Sequence, residues 1–151
     1  MKFGDIPSDV AVNVPERSAL FRTMRDSFAA GKGFALATLN LDHLAKLRSD
    51  ASFLKAYKAH EYIVADGHPI VWLSRLAGKS VDHIPGADIM LPLCRVCAEF
   101  KVSIALVGSS QAALKDAITA LKSEIPDVRV SYAHAPDFAF DPEGDYADGI
   151  F

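Results

Sequence analysis

The sequence predicts an α/β protein in which a parallel β-sheet is covered by helices on both faces, in a single domain. Three observations carry that expectation. Short apolar runs of strand length alternate with segments of ten or more residues that show helical spacing, the order expected of βαβ units. The first strand run, "FALATLN", is short, apolar and β-compatible, which suits a buried strand. The chain has 151 residues, half of them hydrophobic and 23% charged, which suits one core and excludes disorder.

The elements follow in order. Residues 1–15 contain Pro7 and Pro15 and read as an extended lead-in to a domain spanning 1–151. "ERSALFRTMRDSFAAGKG" is a helix with Leu20, Phe21, Met24 and Phe28 on one face, stopped by Gly31 and Gly33. "FALATLN" is a buried strand. A helix over "LDHLAKLRSDASFLKAYKA" follows, with Asp42 as its expected N-cap. "YIVAD" is the second strand. "HPIVWLSRLAGKS" is a helix with Pro69 in its first turn and Gly78 at its end. After the loop "VDHIPG", "ADIMLPLCRVCAEFK" is a helix that accommodates Pro92 near its first turn. "VSIALVG" is the clearest strand. "SSQAALKDAITALKSEIP" is an amphipathic helix that Pro126 ends, and "VRVSYA" is the last strand. The remaining segment is loop with the start of a helix.

Composition narrows the function. The net charge is −3 and no block of like charge occurs, so nothing attracts nucleic acid or anionic lipid in general. Cys94 and Cys97 are no disulfide framework and point to a reducing compartment. As a lone C-x-x-C on an apolar helix they lack a second ligand pair for zinc, and core packing is expected. The five histidines show no metal-ligand spacing, and no G-x-S-x-G elbow occurs. Trp72 is expected in the core. No signal-peptide core opens the chain, and no apolar run nears the ~20 residues that span a bilayer. The expectation is a cytoplasmic protein, with peripheral contact at the inner face of the membrane still open.

In open parallel sheets, ligands bind beyond the carboxyl ends of the strands. Those ends carry Thr38 and Asn40, then Asp66-Gly67, then Gly108-Ser109-Ser110, then His134, and they are expected to converge on one crevice. Each has two readings. Asp66 is a turn residue and helix cap, or a general base whose pKa burial raises. Ser109 or Ser110 caps a helix, or the Gly108 turn offers backbone N–H groups to a phosphate. Thr38 and Asn40 serve the loop backbone, Asn40 as a helix cap, or they line a site.

Taken together, "ATLNLDHL", "YIVADGHPIVWLSRLAGK", "HIPGADIM", "IALVGSS" and "HAPDFAF" resemble the WecG/TagA/CpsF family of bacterial glycosyltransferases over roughly residues 30–145. The family order is T-x-N, a strand ending D-G, a helix ending L-x-G-K, a loop with R-x-x-G-x-D and a strand ending in glycine. The resemblance implies a Rossmann-like fold distinct from the two large glycosyltransferase classes. It implies an inverting enzyme that moves a sugar (N-acetylmannosamine-type, uronic acid or hexose) from a UDP-sugar to a polyprenyl-diphosphate-linked saccharide, as in exopolysaccharide or other cell-envelope polymers. By the same resemblance Asp66 is the catalytic base. Thr38, Asn40, Gly67, His83, Gly86 and Asp88 bind substrate, and Gly108, Ser109 and Ser110 hold the donor diphosphate.

His83 stands where the family pattern has arginine; arginine is always charged, whereas histidine binds diphosphate only when protonated. The family's C-terminal segment, with its membrane-associating tail, is expected to be absent from these 151 residues. No DxD-like motif occurs, so no metal and no cofactor beyond the donor are expected. The expected partners are the UDP-sugar, the lipid-linked acceptor and a second copy in a homo-oligomer. The alternative is a non-catalytic module that binds a nucleotide sugar or lipid diphosphate.

Overall fold

A computed structural model describes residues 10–137, 141 and 144–149. The fold class is the expected Rossmann-like α/β, built from parallel strand pairs joined by helical crossovers. Hydrogen bonding arranges the four strands as two two-stranded sheets, β1–β2 and β3–β4, where one continuous sheet was expected. Each strand has only four or five residues and pairs with the strand across its own crossover. The chain divides into two compact units, residues 1–90 and 91–151.

In the first unit, α1 (Arg17–Ala29) is fixed by Leu20 and Met24, both fully buried. It stops as the glycines suggest: Gly31 takes φ +63°, and the Ala30, Gly31 and Lys32 N–H groups fold back onto the last carbonyls. β1 (Leu36–Leu39) and β2 (Tyr62–Ala65) are parallel, with Leu39 opposite Ala65. Asn13 and Val14 of the lead-in lie along the other side of β2. Asn13 is held there by its side chain, which accepts from the Ile63 N–H at 2.7 Å and donates to the Glu61 carbonyl at 2.8 Å. A single amide thus stands in for a neighbouring strand's peptide group.

The crossover is two helices where one was expected, α2 (Leu41–Lys46) and α3 (Ala51–Lys58). The break lies at Asp50, which starts α3 by accepting from the Phe53 N–H at 2.8 Å. Asp42 does not cap α2. Asn40 does, accepting from the His43 N–H at 2.9 Å, while Asp42 pairs with Lys46 one turn on. α4 (His68–Leu76) buries Ile70 and Val71 against Leu39, Ile63, Ala65 and Tyr57.

The division between units falls within α5 (Gly86–Glu99). Pro92 lies seven residues into this helix, deeper than the first turn, and its missing N–H leaves the Asp88 carbonyl without its helical donor.

The second unit contains β3 (Ile104–Val107), α6 (Gln111–Glu124), β4 (Val130–His134) and α7 (Asp145–Asp148). β3 and β4 are parallel, with an irregularity between Ile104 and Ala105. Cys94 packs with Ile125 and Val128, and Leu91, Ile104 and Leu121 fill in around them. Both cysteines are buried free thiols, and burial pushes both thiol pKa values up. They behave as small core side chains, as expected.

Candidate active site

The C-terminal ends of β1 and β2 lie side by side because Leu39 and Ala65 are in register. The next N–H, that of Asp66, donates to the Leu39 carbonyl at 2.8 Å. This bond carries the ladder one step beyond the strands and holds Asp66, half-buried, at their mouth. Gly67 then takes φ +95° and ψ 140° and becomes the N-cap of α4. That backbone is nearly glycine-only, so the pair Asp-Gly is what lets the strand turn into the helix here. α4 has no side-chain cap. Asp66 therefore does not serve as the helix cap.

Tyr57, outside the expected set, lies near it, and His43 shares the partner of Tyr57. The Tyr57 hydroxyl donates to the Thr38 carbonyl at 2.9 Å. His43 Nδ1 lies 2.9 Å from the same carbonyl and 3.1 Å from the Tyr57 oxygen. Burial, and then the Asp66 carboxylate, push the Tyr57 hydroxyl from 10.0 up to about 12. Tyr57 is thus a neutral donor near a negative charge. Its sequence signal was a polar-tipped ring on the apolar face of its helix, since a buried tyrosine needs a partner for its hydroxyl.

Of the expected binding residues, Thr38 lies within β1, and Asn40 just past it has its side-chain oxygen engaged in the α2 cap. Gly86 opens α5 against the Thr38 side chain; a methyl added there would sit 3.5 Å from Thr38 Cγ2. The loop before α5 is tied to β2 by the Ile84 N–H, which donates to the Ala65 carbonyl at 2.8 Å. His83 projects from that loop, exposed, with its ring centroid 4.4 Å from that of His68. Asp88 faces Arg17 at 3.3 Å in an exposed ion pair, and the Arg17 N–H donates to Asp82. Trp72, expected in the core, is 62% exposed, because Ile70 and Val71 take the buried face of α4.

In the second unit, the β3–α6 turn has Gly108 at φ +118° and Ser109 at φ +60°. The Gly108 N–H donates to the His134 carbonyl at 2.9 Å, which fixes the turn to the end of β4. Ser110 is the cap of α6, accepting from the Ala113 N–H at 3.2 Å. His134 Nε2 lies 2.8 Å from the Tyr146 hydroxyl.

The strand-end residues therefore form two groups, one at each parallel pair: Thr38, Asn40, Asp66, Gly67 and Gly86 in the first unit, Gly108, Ser109, Ser110 and His134 in the second. Among the described residues, no three His, Cys, Asp or Glu side chains are placed to hold a metal. No described helix is long and apolar enough to cross a membrane. The profile of the glycosyl transferase WecG/TagA/CpsF family matches residues 7–150. No curated protein matches the chain.

Proposed function

The chain belongs to the glycosyl transferase WecG/TagA/CpsF family, and on that premise we propose that it moves a sugar from a UDP-sugar to a polyprenyl-diphosphate-linked saccharide, with inversion, in cell-surface polysaccharide synthesis. The observation that carries the reading is Asp66. It is a carboxylate held by backbone at the mouth of a parallel pair, excused from capping, beside a neutral buried tyrosine.

Inversion is a single in-line displacement. The acceptor hydroxyl oxygen bonds to the anomeric carbon, the bond from that carbon to the diphosphate oxygen breaks, and its electron pair leaves on UDP. Asp66 takes the hydroxyl proton, a general-base contribution of about 10²–10⁴-fold. Thr38, Gly67, Gly86 and the loop with His83 border the acceptor's place. In the second unit, the Ser109 and Ser110 N–H groups of the β3–α6 turn are the donors we assign to the donor diphosphate, the Gly108 N–H being engaged by the His134 carbonyl. No metal is assigned a role, so turnover should persist in EDTA. The work is done in the cytoplasm, at the inner face of the membrane where a lipid-linked acceptor lies.

The test is Asp66→Asn assayed with UDP-sugar and lipid-linked acceptor. Turnover should fall by about 10²–10⁴-fold while UDP affinity stays put. Turnover near the wild-type level would remove Asp66 as the base. UDP binding without any transfer by the wild type would favour the non-catalytic module.

A further inference from the structure

Three rings meet on the surface of the first unit, where α4 starts at the end of β2. The centroids of His83 and His68 are 4.4 Å apart, with planes at 41°. Those of His68 and Trp72 are 6.2 Å apart, at 49°. All three residues are exposed. Both elements that carry them are fastened at the end of β2: α4 begins at Gly67, and the His83 loop is held by the bond from Ile84 to Ala65. Folding does not explain the arrangement. Neither histidine caps α4, and a tryptophan is among the side chains that gain most from burial.

We propose that His83, His68 and Trp72 form a platform on which the acceptor's sugar ring lies while its hydroxyl is presented to Asp66. This rests on the reading of Asp66 as the base. A pyranose has a flat C–H face that packs on an aromatic ring, and hydroxyls that reach imidazole N–H edges or stay in water. A base takes a proton only from a group within hydrogen-bond reach. His68 is two residues along the chain from Asp66, so the ring assigned to the platform is the acceptor's sugar and not the donor's uracil.

Trp72 is the single tryptophan of the chain, so its emission reports on the platform directly. The 151-residue protein is titrated with a short-chain prenyl-diphosphate-linked hexosamine and, separately, with UDP, by fluorescence and by calorimetry. The saccharide should shift Trp72 emission with the same midpoint that calorimetry gives, and UDP should leave emission unchanged. Trp72→Ala and His68→Ala should each weaken the saccharide by about fivefold or more, taking ring stacking as the measure. Trp72→Phe should stay within about threefold, and UDP affinity should not move in any of them.

Saccharide binding that leaves emission unchanged and survives Trp72→Ala would overturn the platform. So would an emission change with UDP alone. If wild type binds neither ligand, the proposed function fails and the platform with it. If Asp66→Asn abolishes turnover while the ring variants keep full saccharide affinity, only the platform fails.

Discussion

The Tyr57 hydroxyl donates to the Thr38 carbonyl over 2.9 Å, which fastens α3 to β1 beside Asp66. The bond has a consequence in alkali. Burial and the Asp66 carboxylate hold the hydroxyl protonated up to about 12, against 10.0 for an ordinary tyrosine. Above pH 10.0 the unfolded chain releases this proton before the folded one does. The Tyr57 contribution to stability is therefore whole below pH 10.0 and is lost as pH rises to about 12. Tyr57→Phe should unfold more easily by about 1 kcal/mol at pH 8. Its deficit in urea unfolding should shrink steadily above pH 10.0. A deficit that stays constant through that window would mean that the hydroxyl is not held as described.

Gly67 and Gly86 should respond unequally to alanine. Gly67 has φ +95°, and an added Cβ would meet only Pro69 Cδ at 3.6 Å, so the penalty is in the backbone and not in a clash. Gly67→Ala should cost about 1–3 kcal/mol. Gly86 opens a helix without a positive φ, and its new methyl would touch Thr38 Cγ2 at 3.5 Å, an ordinary contact. Gly86→Ala should change stability by less than about 0.5 kcal/mol. Thermal unfolding of the two variants side by side checks the contrast, and equal losses would refute it.

The Asp66-Gly67 turn was legible because a buried strand run ended there on the two residue types that turns select, followed by proline in a helix's first turn. The Gly108 turn was legible because an apolar strand run ended on glycine and serine just before an amphipathic helix. Tyr57 and His43 were not, since their meeting at the Thr38 carbonyl depends on how a helix docks on a strand nineteen residues away. Trp72 was misplaced for a simpler cause. "IVWL" is four apolar residues in succession, and at 100° per residue they cannot all face inward. Periodicity says that one of them faces out, but only packing decides which.

Glu61 offers a test in acid. Its carboxylate accepts from the Ala35 N–H at 2.6 Å, just before β1 begins, and this bond, with lesser help from His60, lowers its pKa below the usual 4.5. Below 4.5 the unfolded chain takes up the proton first, so the stability this carboxylate contributes is present above that pH and is lost as pH falls through the lowered value. Glu61→Ala should therefore be less stable than wild type at pH 6, and the gap should narrow as pH falls below 4.5. Denaturant midpoints for both proteins across that range decide it; a gap that does not change with pH would rule out the ionised carboxylate as its source.

Ser109 separates the backbone of the β3–α6 turn from its side chain. At φ +60° a serine is held where glycine is at ease, and the cap of α6 is already supplied by Ser110. Ser109→Gly should therefore stabilise by about 0.5–1 kcal/mol. If backbone N–H groups are what meets the diphosphate, the same change should leave UDP affinity intact, because it removes only the side chain. Ser109→Asp keeps the chain path and adds a negative charge, and like-charge repulsion in the turn should weaken UDP by about tenfold or more. Calorimetry on the three proteins reads both effects. Unchanged affinity in Ser109→Asp would show that this turn does not touch phosphate. A loss in Ser109→Gly would transfer the contact from the backbone to the hydroxyl.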